Sequence, residues 1–196
     1  MIDLTPATEA MERVLDGVRD DQMESPTPCT EYTVGDIIDH VEQTAYIAAA
    51  VGRRDEEVLA RVGGAPRPVH AEPDWRQVLA EDLVELALAW KAPAAWEGPG
   101  ALPGSDLPSG TWGRIFLTEM VVHGWDLAVA TGQGYELDAS TAQVCWEHVS
   151  VFLQGAPLPA LWGPPVGIGE DAPLMDRIVA MTGRDPGWSP DRSSAA

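Results

Sequence analysis

Apolar residues recur at intervals of three and four in five separate stretches of the chain, with polar residues filling the gaps. That spacing places the apolar side chains on one stripe of a helix. Over residues 5–21 the stripe is Ala7, Met11, Val14, Leu15 and Val18, with Thr5 predicted as N-cap and Pro6 at the first helical position. Over 33–51 it is Val34, Ile37, Ile38, Val41, Ala45, Ala48 and Ala49. There Thr33 can cap the amide of Asp36 while Asp36 reaches back, a short-armed capping box. A third helix is predicted over 74–91 (Val78, Leu79, Leu83, Leu86, Trp90) and a fourth over 111–131, apolar around most of its circumference and therefore the most buried. A fifth covers 139–153 (Val144, Trp146, Val149, Val151, Phe152), and shorter helical turns are expected near 55–62 and 174–181.

No stretch of useful length alternates with a period of two, so the expected class is all-α: a helical bundle with an additional helix and long loops, whose order need not be simple up-down. Pro26 and Pro28 force an extended connection after the first helix, and Gly- and Pro-rich stretches fill 52–72 and 92–111. A connection as long as 92–111 often borders a functional site. One domain is expected over 1–185, with a disordered tail over 186–196. No internal repeat is present.

Composition narrows the function. The chain has 196 residues, 45% of them hydrophobic, enough for a core that needs neither metal nor disulfide to fold. A net charge of −19, from 31 acidic and 12 basic side chains, argues against nucleic acid as a partner, because affinity for phosphate backbones comes from Lys and Arg. The longest apolar run, Ala45 to Val51, is too short to span a bilayer, and the opening residues carry no export or import pattern. A cytoplasmic protein without membrane attachment is expected. Cys29 and Cys145, 116 positions apart, form no CxxC or secreted scaffold pattern, so a disulfide has no support.

The candidate chemistry sits on the fourth helix. Glu119 and His123 are one turn apart on one face, and Asp126 continues it. Among so many apolar neighbours an unpaired carboxylate or imidazole would be costly to bury. A divalent metal ion would supply the partner, with His40 on the second helix, beside that helix's apolar face, as third ligand. A two-histidine, one-carboxylate set leaves open coordination positions and suits zinc first, or nickel or ferrous iron. The spacing alone equally allows a mere ion pair on one helix with His40 as a core residue. Asp126 can orient His123 or be an exposed carboxylate. Cys29 can be packing or a thiol, Trp125 reads as packing, and His70 in its Pro-flanked loop reads as solvated. Cys145 and His148, three apart, can touch but make a poor zinc signal. Phosphate loops, nucleophile elbows and EF-hands are absent.

Three segments carry a family resemblance: Pro26-Thr-Pro-Cys-Thr-Glu-Tyr-Thr-Val-Gly-Asp-Ile-Ile-Asp-His40, Thr118-Glu-Met-Val-Val-His-Gly-Trp-Asp-Leu-Ala128 and Asp176-Arg-Ile-Val-Ala-Met-Thr-Gly-Arg-Asp-Pro186. In order and spacing the chain resembles the DinB/YfiT-like superfamily, in its actinobacterial branch related to the N-terminal domain of mycothiol-dependent maleylpyruvate isomerase. The resemblance implies a DinB-like antiparallel four-helix bundle whose metal ligands fall on His40, Glu119 and His123. It also implies a low-molecular-weight thiol, mycothiol or bacillithiol, as co-substrate, activated at the metal for attack on a small electrophile. The isomerases it resembles carry a second domain for which this chain is too short, so a metal-dependent thiol S-transferase is the expected activity. The alternatives are a non-catalytic metal- or thiol-binding stress protein and a metal-dependent hydrolase. Partners are expected to be small molecules, with a homodimer as one arrangement of the chain.

Overall fold

The computed structural model describes residues 1–63, 67–153 and 162–190. Among them are seven α-helices: α1 (Thr5–Gly17), α2 (Val34–Arg53), α3 (Glu56–Leu59), α4 (Trp75–Ala89), α5 (Ser109–Thr131), α6 (Ala139–Phe152) and α7 (Leu174–Met181). The described residues hold no strand, only isolated bridges between Pro26 and Thr33 and between Pro99 and Pro108. The fold is the all-α bundle the periodicity implies.

The four long helices α1, α2, α4 and α5 form the bundle. α1 packs on α4 and α5, and α2 packs on the same two helices, so α1 and α2 occupy opposite corners. Contacts at the helix ends fix the directions. Gln133, just beyond α5, donates to the carbonyl of Val14 near the end of α1 (3.0 Å), so α1 and α5 run parallel. Trp90 at the end of α4 donates to the Ala48 carbonyl late in α2 (2.9 Å), so those two also run parallel. Arg54, which ends α2, reaches Ser109 at the start of α5, and Arg76 at the start of α4 reaches the Val18 carbonyl beyond α1, which makes both of those pairs antiparallel. Two helices therefore run each way, in the order up, down, down, up. The parallel pair α2 and α4 needs a connection that travels the length of the bundle, which accounts for the long segment 54–74 carrying α3.

The predicted stripes point inward: Ile37, Ile38, Val41, Leu79, Leu86, Met120 and Leu127 are fully buried, and Leu117 on α5 is buried with them. On α5 only Arg114 is exposed. The capping box at α2 forms, with Thr33 Oγ1 accepting from Asp36 N (3.2 Å) and Asp36 Oδ2 accepting from Thr33 N (2.9 Å). α6 packs on the outside of α5 and carries α7.

Local expectations fail in α1 and α6. α1 begins with Leu4 as N-cap, because Asp3, one residue earlier, accepts the Thr5 amide (2.9 Å), and it ends at Gly17 rather than near Asp21. The chain turns extended at Val18 and re-forms a 3-10 turn over Asp20–Gln22, from which Gln22 donates to the Thr131 carbonyl at the end of α5 (3.2 Å). Val151, placed with the apolar side chains of its helix, is 73% exposed. Of the tail expected to be disordered, residues 186–190 are described and Trp188 packs against the core; 191–196 lie outside the described residues.

Removing packing should cost more than removing a cap. Leu117→Ala is expected to lower unfolding stability by about 2–5 kcal/mol and Thr33→Ala by about 1 kcal/mol, both read from urea denaturation midpoints with unchanged slopes.

Candidate metal centre

α2 and α5 cross antiparallel, and where they meet His40 from one helix faces Glu119 and His123 from the other. One turn of α5 separates Glu119 from His123, so both side chains leave the same face. His40 Nε2 lies 3.0 Å and His123 Nε2 3.3 Å from the same oxygen, Glu119 Oε2. One ligating atom from each of the three residues lies within 4.8 Å of the other two. The two imidazole rings meet edge to face at 4.9 Å between centroids. Glu119 and His123 are buried, while His40 keeps partial access to solvent.

Electrostatics follow from that convergence. Burial on its own would raise the Glu119 carboxyl, but hydrogen bonds from His123 and His40, with their positive charge, prevail and hold it down to about 2. For His123 burial works downward, and the hydrogen bonds to Asp126 and Glu119, with their negative charge, raise it to about 9. Asp126 is fully buried, and its Oδ2 accepts from His123 Nδ1 at 3.0 Å, which rules out the exposed-carboxylate alternative. With Nδ1 engaged there, Nε2 is the nitrogen that faces Glu119.

The donor set fits a divalent cation. Two imidazole nitrogens and a carboxylate are ordinary ligands of zinc, nickel and ferrous iron. Glu119 Oε1, moreover, is buried without any hydrogen-bond partner among the described residues, a costly state for a carboxylate oxygen that a cation would relieve. An ion would be held by His40 Nε2, His123 Nε2 and Glu119.

A cleft of about 460 Å³ opens over the three residues. Cys29, Thr30, Glu31 and Tyr32 from the connection before α2 form one wall; Trp162, Gly163 and residues 182–184 form the other. Tyr32 lies against the His40 ring at 5.7 Å and Trp162 against the His123 ring at 5.8 Å. That connection is shaped by Thr27, whose hydroxyl donates to the Tyr32 carbonyl (2.7 Å).

The remaining candidates separate. Cys29 lines the cleft, and Cys145 does not pair with it; both thiols are free. Cys145 turns to Thr118 (3.7 Å) and His148 stacks on Phe152, so those two do not form a site with each other. His70 is not a solvated loop residue. Asp39 holds it through both the backbone amide (2.9 Å) and Nδ1 (2.8 Å), and its ring packs over Gly35 of α2. The sequence alone points to no role for Tyr32, Trp162 or Arg184, although Tyr32 and Arg184 fall within the segments that carry the family resemblance.

Fold and site together define a helical bundle with a histidine–glutamate–histidine group placed to hold a metal ion. The chain belongs to the family of the mycothiol maleylpyruvate isomerase N-terminal domain, whose model matches residues 4–128, within the DinB-like superfamily. It is also similar to an uncharacterized protein of Mycobacterium tuberculosis, Rv0738 in strain H37Rv and MT0763 in strain CDC 1551, each 32% identical over 139 residues that make up 69% of either chain. No solved structure matches. Among the described residues no helix is long and apolar enough to cross a membrane.

The pH dependence of the metal-free protein follows from the two shifts. The contribution of His123, raised in the folded state, is complete below its ordinary value of 6.5 and is lost as pH rises through about 9. That of Glu119, depressed in the folded state, is present above 4.5 and is lost as pH falls towards about 2. The melting temperature in chelator should therefore fall between pH 6.5 and just past 9, and His123→Gln should flatten that fall. A melting temperature that stays level in the parent chain across this window contradicts the pairing.

Proposed function

We propose that this chain is a metal-dependent S-transferase that joins a low-molecular-weight thiol of the mycothiol type to a small electrophile. The observation that carries the reading is the convergence of two imidazole nitrogens on one carboxylate whose second oxygen is buried and without a partner among the described residues, at the floor of an open cleft. Three protein ligands would leave coordination positions free, as in catalytic rather than structural sites. Membership of a family described by a mycothiol-dependent enzyme supports a thiol as the molecule that meets those positions.

When bound, a divalent ion lowers the pKa of a thiol sulfur and so supplies a thiolate at neutral pH. The protein's own residues provide the rest. His40, Glu119 and His123 hold the ion, and Asp126 keeps the His123 ring turned. The cleft has the size of a small-molecule site and is bordered by Tyr32 and Trp162. Cys29 is no substitute for an external thiol: burial pushes it up to about 11, so at neutral pH it is almost wholly the unreactive thiol. Zinc is the expected ion.

The test has two stages. Purified protein reconstituted with zinc should carry about one equivalent, and His40→Ala, Glu119→Gln and His123→Ala should each lose metal while remaining helical, because the core does not depend on the site. The metal-loaded protein should then conjugate mycothiol with monobromobimane faster than the His123→Ala variant does. Equal rates in the two proteins reject the transferase reading. Calorimetric binding of mycothiol without turnover would point to a binding protein instead, and chelator-sensitive cleavage of activated esters to a hydrolase.

A further inference from the structure

Asp126 is fully buried, and a single hydrogen bond from His123 would leave most of its charge uncompensated. The compensation comes from Arg184, 58 positions further along the chain. Arg184 Nε donates to Asp126 Oδ1 at 3.2 Å and Nη2 donates to Asp126 Oδ2 at 2.9 Å, a two-pronged contact that fixes the plane of the carboxylate. The same Oδ2 accepts from His123 Nδ1. The third nitrogen, Nη1, donates to the Thr182 carbonyl at 2.8 Å, and the guanidinium lies 5.1 Å from the Trp162 ring centroid. Only 6% of the Arg184 side chain is exposed.

The backbone delivers Arg184 to this place by a defined helix end. α7 closes with the Gly183 amide on the Ala180 carbonyl (3.1 Å) and the Arg184 amide on the Val179 carbonyl (2.9 Å), the two bonds of a Schellman motif. Gly183 takes the left-handed conformation the motif requires, at φ +88°, and a Cβ there would come within 2.7 Å of the Gly163 Cα. Only glycine meets both conditions. The sequence after α7 thus aims one arginine at the underside of the metal centre from outside the segment, 4–128, matched by the family.

We propose that Arg184 is a positioning residue of this centre: by clamping Asp126 it holds the His123 ring with Nε2 directed at Glu119 and His40. This rests on the metal reading given above. Partners behind a metal-binding histidine set ligand orientation, and their loss costs about 10- to 100-fold in metal affinity. A purely structural role, stapling α7 to α5, would change stability without touching the ring of His123.

The experiment compares the parent chain with Arg184→Gln, Asp126→Asn and the double variant, using cobalt(II) as the probe. Affinity is read by chelator competition and visible absorption, and the His123 ring by ¹⁵N–¹H spectra of the metal-free proteins. Arg184→Gln is expected to weaken cobalt binding by about 10- to 100-fold, with an altered absorption spectrum and loss of the protected His123 Nδ1–H signal. Arg184→Lys should recover part of the affinity. Because the two residues act in series, the double variant should bind no more weakly than the weaker single variant. Cobalt affinity within twofold of the parent, or losses that multiply in the double variant, would overturn the assignment. Should Arg184→Gln fail to fold, the double variant, which removes both buried charges, and Arg184→Lys decide by the same criteria. If the parent chain binds no cobalt, the metal reading falls, and the ring spectra judge the clamp: a His123 Nδ1–H signal unchanged by Arg184→Gln removes it as well.

Discussion

The structure is organised around a carboxylate buried at the floor of a cleft. Glu119 sits on α5, the helix with the fewest exposed residues in the bundle, yet it is held ionised, its pKa near 2. An ionised side chain in such a place must be met by positive charge or a cation, since the penalty for leaving it alone is several times the margin by which domains are stable. Both histidines that approach it do so through Nε2 and onto the same oxygen. That arrangement leaves Oε1 unserved among the described residues, and it is this residual demand, more than the residue types, that distinguishes the cluster from an ordinary buried ion pair.

The topology makes the meeting unavoidable. α2 and α5 are neighbours in the ring of four helices and run in opposite directions, so the early part of α2, with His40, comes level with the middle of α5. α1 and α4, at the other two corners, contribute packing and none of the three ligating side chains. The connection between α1 and α2, which joins helices at opposite corners of the bundle, brings Cys29 and Tyr32 over the site. Connections are therefore part of the centre's construction, not spacers between its helices.

How much of this was legible in the chain follows from the range of the interactions. The capping box of Thr33 and Asp36, the span of α7 and the burial of the inner stripes are settled within four residues or one helical turn, and all were readable. Glu119 and His123 were readable as a pair for the same reason; His40 could be joined to them only by asking which lone histidine lay beside an apolar face, or through the family resemblance. The start of α1 was misread because two acceptors, Asp3 and Thr5, compete within three residues and the nearer one does not win. His70 was misread because its partner Asp39 is 31 positions away. Arg184 fell within a segment of family resemblance, but neither periodicity nor spacing ties it to Asp126 across 58 positions, so its role was not readable.

These ranges also divide the centre into two layers with different constraints. The ligating side chains rise from two helices of the bundle core, where a change in any neighbour is felt through close packing. The cleft walls come instead from residues 28–32, 162–163 and 182–184, which lie outside the four bundle helices. Because Tyr32 lies against the His40 ring and Trp162 against the His123 ring, the walls bear on the ring positions as well as on the approach to them. Arg184 links the layers through Asp126: it belongs to the wall by position, and the carboxylate it holds accepts from His123 Nδ1. In a fold built this way the three converging side chains can stay fixed while the surrounding segments shape the approach to them, and the Arg184–Asp126 contact is where a change in the wall would be felt at His123.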